Sequence, residues 1–276
     1  MLYIYKKWKQ IIYLRFLIYS NYINLDIYAE LEKEEVGSGS FRVCYNGIIK
    51  DKFGNLTTTN DFPSGECVVK IYKNHKYAQD FTKDLESLIV AKEQALLFNQ
   101  KIGKPNKINY ILPYETSIFI KGKEERVSIE PYLIDFKKFY NNDGEEIEQE
   151  DGQRFNKYCS AFSHFTWTNF RGRMVVTDLQ GKFENGKYYF TDPAIQSLEQ
   201  SYGNSDLGAQ GIIKFLLFHK CTSICKKWPL LNIKFLKKFL TTNDAASIKA
   251  TKYRFEMTKN EKYRPIYEGL LAKFNF

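Results

Sequence analysis

The sequence is short of the features that mark several protein classes. Its 276 residues include five cysteines, an odd number, and three histidines. That excludes a disulfide-stapled secreted scaffold and leaves the thiols free for metal in a reducing compartment. There is no internal repeat and no low-complexity tract, which excludes solenoids, propellers and biased linkers. The apolar start Met1-Leu-Tyr-Ile-Tyr is broken by Lys6, Lys7, Lys9 and Arg15, and the longest uncharged run there, residues 16–25, is far below the roughly 20 residues of a spanning helix. No A-x-A-like cleavage site follows, so neither a secretory leader nor a membrane span is expected. A cytoplasmic or nuclear location is the default, cytoplasmic being the one expected. What the chain does have is apolar mass: 43% hydrophobic residues, with 22 Phe and 20 Tyr, which excludes a disordered chain.

The formal charge of +9 suggests a polyanionic partner at first sight. Its distribution argues otherwise. Residues 1–25 carry +4 and residues 230–276 carry +6, so residues 26–229 sum to −1. A nucleic-acid domain needs its basic surface on the folded body, because phosphate neutralisation supplies most of the affinity. Nucleic acid is therefore not the expected partner, and the basic ends suit an acidic partner or a membrane surface.

Patterning predicts mixed α and β structure. Strands are expected over 66–72, 110–120 and 126–134, which are rich in β-branched and aromatic residues. A helix is expected over 80–100, capped by Asp80, with Phe81, Leu85, Leu88, Leu96 and Phe98 as its apolar stripe. Residues 140–152 read as a turn-rich lobe boundary. Phe155, Tyr158, Cys159, Phe162 and Phe165 predict a helix over 153–167 that buries one face. The run 173–181 reads as a strand ending in Asp178, Gln180 and Gly181, and Tyr188 to Pro193 repeats the pattern with Asp192 before the proline. Polar groups where a strand runs into a loop are placed for chemistry.

Gly203-Asn-Ser-Asp-Leu-Gly208 is a G-x-x-x-x-G loop entering a helix predicted over 207–228. It lacks the central glycine of a dinucleotide fingerprint and the Lys-Ser/Thr of a P-loop. By itself it reads as an ordinary loop rather than an anion cradle. Late in that helix lie His219, Cys221 and Cys225, with the two cysteines four apart on one face, which suits zinc or, equally, an apolar core helix. A fourth ligand would come from His164, His75 or another cysteine. Lys70, inside the strand Val68-Val-Lys-Ile71, points either to solvent or into a cleft where its ammonium meets nucleotide phosphates. Val36-Gly-Ser-Gly-Ser-Phe-Arg42 is a glycine-rich turn just upstream.

Taken in order, Gly37 to Arg42, Val68 to Ile71, Ile129-Glu-Pro-Tyr-Leu133 with Lys138 to Gly144, Ala161-Phe-Ser-His164, Val175-Val-Thr-Asp-Leu-Gln-Gly181, Thr191-Asp-Pro193, Gly203 to Gly208 and His219-x-Cys-x-x-x-Cys225 resemble the α-kinases. These are atypical protein kinases that include elongation-factor-2 kinase, myosin heavy chain kinases and kinase domains fused to channels. The resemblance spans about residues 30–229 and implies an α+β, two-lobed atypical protein kinase-like fold with a zinc-stabilised C-terminal lobe. The lobes would cover 30–128 and 129–229, between a basic, aromatic extension over 1–29 and a basic one over 230–276.

The implied activity is transfer of the γ-phosphoryl of Mg-ATP to Ser or Thr of a protein. By the resemblance, Lys70 pairs with the phosphates, Arg42 lies near them, and Glu130 and Leu133 form the hinge beside adenine. Asp178 orients or deprotonates the substrate hydroxyl, Gln180 and Asp192 hold Mg²⁺, and the loop of Gly203, Asp206 and Gly208 belongs to the nucleotide site. His164, His219, Cys221 and Cys225 bind structural zinc. Two departures stand out. Asp206 replaces the usual Asn, placing a carboxylate near a phosphate or substrate region, and Ile195, Gln196 and Ser197 stand where a His often follows the Thr-Asp-Pro segment. They motivate a catalytically weak pseudokinase scaffold as the alternative, with a zinc-containing nucleic-acid binder the less supported one. The basic stretch 233–240 reads as an amphipathic helix packing on the catalytic body.

Overall fold

The structure is a computed structural model that describes residues 11–16, 25–78, 81–103, 107–120, 123–147, 157–228, 231 and 234–250. The expected cap Asp80, the connection beyond residue 147 with Phe155, and much of both basic ends lie outside the described residues. The chain forms two compact units, Met1–Phe81 with Leu112–Ile134, and Thr82–Ile111 with Asp135–Phe276.

The first unit is built on an antiparallel sheet of six strands in the order β1-β2-β3-β4-β7-β6. They are β1 (Ile11–Phe16), β2 (Leu25–Ser38), β3 (Arg42–Asp51), β4 (Glu66–Tyr72), β6 (Tyr114–Ile120) and β7 (Lys123–Pro131). Ala29, Leu31, Ile49, Phe62, Cys67, Val69, Val127 and Ile129 make its core. The alternation of β4, with Cys67 and Val69 inward, fixes the register, since a one-residue slip would turn that apolar set outward. The expected strand over 110–120 is two strands. Tyr110 ends β5 (Lys107–Tyr110) in the other unit, and Pro113, which has no N–H to give a ladder, stands just before β6. Likewise β7 stops at Pro131 instead of reaching residue 134.

In the second unit β5 pairs with β11 (Lys187–Thr191), which pairs with β10 (Gln180–Glu184) and through it with β8 (Lys137–Lys138). Asn185 and Gly186 link β10 to β11 with φ of 50° and 73°, the two left-handed residues that a tight hairpin demands. A separate ladder joins β9 (Met174–Thr177) to β12 (Ala194–Ser197). The long helix α2 (Phe81–Ile102), which follows the short α1 (His75–Ala78) in sequence, buries Leu88, Ala91, Ala95 and Phe98. Leu96 of the expected stripe is 55% exposed, because the two alanines one turn apart carry that face. Helix α3 (Lys157–Asn169) is buried continuously from Cys159 to Trp167, where one apolar face was expected; it contributes Cys159, Ala161, Phe162 and Phe165 to one apolar cluster and Trp167 to another, so more than one face is covered.

Helix α4 (Gly208–Phe218) ends ten residues before the expected Trp228. His219 takes extended backbone angles, and the chain through Cys225 runs in turns. Residues 233–240 likewise contain a short 3-10 turn (Lys234–Lys238) in place of an α-helix. Leu236 and Leu240 nevertheless pack with Ile212, Ile213 and Leu216 of α4 and with Ile248 of α5 (Thr242–Ala250). Thr241 and Asp244 cap α5 reciprocally, each side chain accepting from the other's N–H, as in a capping box. Among the described residues no helix is long and apolar enough to cross a membrane.

Candidate active site and metal centre

In the first unit, Lys70 stands opposite Cys44 of β3 and Ser128 of β7. Lys70 is 5% exposed, so its outward face is covered and the solvent reading fails. Its Nζ donates to both carboxylate oxygens of Glu130, each at 2.7 Å. Removing two charges from water costs several kcal/mol per ion and is tolerated here because the contact is bidentate. The carboxylate of Glu130, expected at the hinge through its backbone, thus reaches Lys70. Leu133 is buried nearby in sequence. Arg42 opens β3 with its guanidinium 5.7 Å from the centre of the Tyr72 ring. The glycine-rich turn before it is closed by Gly39 N–H donating to Arg42 C=O at 2.9 Å.

In the second unit, β9 ends at Thr177, and Asp178 follows with φ 55°. Asp192, directly after β11, has φ 48°. Left-handed backbone at non-glycine residues is costly and persists where the surroundings over-determine it, a pattern typical of functional sites. Register brings the groups together: Gln180 pairs with Thr191, so its side chain reaches both aspartates. Its Nε2 donates to Asp178 Oδ2 at 3.4 Å and to the Asp192 carbonyl at 3.2 Å. Gly181 is required here, because at φ 146° a Cβ would lie 2.0 Å from the Tyr189 carbonyl oxygen. Lys138 of β8 is 2.6 Å from Asp178 Oδ1; the sequence holds it inside a recognised segment but marks no role for it. Burial pushes the Asp178 carboxyl above its ordinary range, Lys138 opposes this, and Asp192 and Asp143 add to it.

The Gly203 to Gly208 loop is a 3-10 turn (Gly203–Ser205) leading into α4, with Gly203 and Gly208 at φ 77° and 68°. The carboxylate of Asp206 is turned into the loop, not outward. It accepts from Ser197 N–H at 2.8 Å, Ser197 O–H at 2.5 Å, Tyr202 N–H at 3.2 Å and Gly208 N–H at 2.9 Å. Four donors around one side chain select a carboxylate, since an Asn amide would face some of them with its own hydrogens.

The predicted ligand set also converges in this unit. One ligand atom from each of His164, His219, Cys221 and Cys225 lies within 4.8 Å of the others. His164 Nδ1 is 3.0 Å from His219 Nε2, Cys221 Sγ is 3.7 Å from His164 Nδ1, and Cys225 Sγ is 3.8 Å from His219 Nε2. A tetrahedral ion with bonds of about 2.0–2.3 Å separates its ligand atoms by about 3.3–3.8 Å; the two sulfur–nitrogen distances match that spacing, while the two imidazole nitrogens sit closer than it. The cysteines meet the histidines through a turn, with Thr222 N–H donating to Cys225 Sγ at 3.2 Å, and not through a shared helix face. Ser160 Oγ lies 3.2 Å from His219 Nδ1, the outer contact that fixes an imidazole for metal. The hydrogen bond from Cys225, followed by those from the two imidazoles, pulls the Cys221 thiol far below its usual range. His75 belongs to the other unit.

A model of the Alpha-kinase family matches residues 37–225. Over 244 residues the chain is 27% identical to Myosin heavy chain kinase A of Dictyostelium discoideum, an alignment covering 75% of this chain and 20% of that protein. It is 31% identical over 176 residues to human Transient receptor potential cation channel subfamily M member 6, covering 58% of this chain and 8% of that protein. The chain therefore spans a fifth or less of the length of these relatives. Among solved structures, the alpha-kinase domain of Myosin-II Heavy Chain Kinase A in complex with adenosine superposes with a TM-score of 0.55 at 26% identity, over 72% of this chain and 85% of that one.

Proposed function

The chain belongs to the Alpha-kinase family, and from that premise we propose that it is an ATP-dependent protein kinase acting on Ser and Thr hydroxyls. The observation that carries the reading is the convergence of Asp178 and Asp192, both on left-handed backbone just after β9 and β11, with Gln180 at the start of β10. Phosphoryl transfer asks little covalent chemistry of a protein; it needs positioning, charge neutralisation and a group to take the hydroxyl proton. Asp178 holds the substrate hydroxyl and receives its proton. Gln180 and Asp192 offer the hard oxygen donors that suit Mg²⁺, which when bound neutralises phosphate charge. Lys70, oriented by Glu130, serves the phosphates, with Arg42 beside the glycine-rich turn, Leu133 and the backbone of Glu130 against adenine, and Gly203, Asp206 and Gly208 in the second loop.

The catalytic domain is read as residues 30–229, with extensions over 1–29 and 230–276 that suit an acidic partner or an anionic surface, and the setting as cytoplasmic. The family's kinase relatives point to a protein substrate. His164, His219, Cys221 and Cys225 are read as a closed zinc site tying α3 to the segment after α4; four protein ligands leave no open position, so the metal's task is structural. Freshly purified, chelator-free protein should carry about one equivalent of zinc, and less than about half would contradict the site. The internal bonding of Asp206 and Gln196 supports activity over the pseudokinase alternative. The function is tested by transfer of labelled phosphate from ATP to basic proteins or to the chain itself, comparing wild type with Asp178→Ala. Labelled Ser and Thr in wild type alone is the expected result; equal labelling by both proteins would overturn the reading.

A further inference from the structure

Gln196 is completely buried in β12, an unusual place for a primary amide with no charged partner. Its Nε2 has four oxygens within hydrogen-bond reach: the Asn142 carbonyl at 3.2 Å, Asn142 Oδ1, Thr177 Oγ1 at 3.2 Å and the Ser205 carbonyl at 3.3 Å. Its Oε1 accepts from Leu207 N–H at 2.6 Å. One side chain therefore joins the turn around Asn142, the last residue of β9 and the Gly203 to Gly208 loop. The turn and β9 are tied again, because Asp178 N–H donates to the Asn141 carbonyl at 3.2 Å. Asn142 Nδ2 in turn donates to the Ser205 carbonyl at 3.0 Å. Helix α4 makes room for this amide: a Cβ at Gly211 would lie 2.2 Å from Gln196 Oε1.

We infer that Gln196 is a positioning residue that couples the Gly203 to Gly208 loop to Asp178, a role that rests on the kinase reading for what Asp178 does. The chemistry is specific to a carboxamide. Its NH₂ group supplies two hydrogens to a crowd of acceptors while its oxygen takes one backbone donor. A carboxylate of the same shape has no hydrogen to offer and would face those oxygens with its own. A neutral imidazole has one donor and one acceptor, and so cannot serve all three segments. Gln196 touches no reacting atom in this account and acts only through Thr177, the Asn142 turn and the loop.

The test has two arms. In the unmodified protein, amide hydrogen exchange at Leu207 and at Asp178 should report one shared opening, with protection agreeing within about threefold; exchange at Leu207 about 100-fold faster than at Asp178 would overturn the coupling. This arm needs no catalysis and no variant. The second arm compares Gln196→Ala and Gln196→Glu per mole of folded enzyme. Both should lower kcat by at least about tenfold, with KM for ATP changed less than about threefold. The isosteric Gln196→Glu should be at least as damaging as Gln196→Ala. An unchanged kcat, or a Glu variant clearly better than the Ala variant, would mean that Gln196 merely fills space. If wild type transfers no phosphate, the kinase reading falls and the exchange arm still decides the coupling.

Discussion

The two glycine-rich loops look alike in sequence and differ in construction. In the loop before Arg42, residues 34–40 are exposed, and a Cβ placed on Gly37 or Gly39 would meet nothing closer than 4.0 and 3.8 Å. The loop from Gly203 to Gly208 is held from inside by the Asp206 carboxylate and the Gln196 amide. Just beyond it, Gly211 has no space for a single added carbon. The first loop has room to adapt its backbone to a ligand, whereas the second is preformed. Glycine serves different ends in them: open approach in one, close packing and left-handed backbone in the other.

Substitutions can break or sharpen that contrast. The largest effect is expected from Gly211→Ala, whose methyl would collide with a buried, hydrogen-bonded amide. Overpacking of this kind costs about 3 kcal/mol, and calorimetry should show the melting midpoint falling by roughly 6–12 °C. Asp206→Asn should cost about 1–3 kcal/mol in denaturant unfolding, although Asn is the usual residue in the resembled family, because the amide hydrogens would face the donors of Ser197 and Tyr202 or Gly208. Unchanged stability there would show that the loop tolerates either residue and is less preformed than its bonds imply. Gly39→Ala should be the mildest, within about 0.5 kcal/mol of wild type; a large loss would mean that the first loop is as tightly built as the second.

Much of this was legible in the chain. Asp178, Gln180 and Asp192 fall at the ends of β-patterned runs, and register then brings them together. The histidines and cysteines announced a ligand set, but helical spacing gave the wrong reason for it. The apolar period of Ile212, Leu216 and their neighbours runs on past the point where His219 turns extended, and periodicity does not register a backbone that leaves the helix to deliver ligands. Alternation told which face of β4 carries Lys70, but not that the Glu130 carboxylate reaches it, since that depends on a strand 60 residues away. The break between β5 and β6 has its cause at Pro113, which the single strand expected over 110–120 passed over. Gln196 stood out only as part of a departure from the resembled pattern, where a His often follows the Thr-Asp-Pro segment, and only the fold reveals that three segments bond to it.

The central claim is that one set of residues binds nucleotide while Asp178 performs the transfer. Measuring ATP affinity and phosphate transfer on the same preparation of Asp178→Asn tests it most directly. Affinity should stay within about threefold of wild type and transfer should fall by at least about 100-fold, since a removed general base and positioning group act in the transition state and not in binding. Transfer at the wild-type rate by that variant would contradict it.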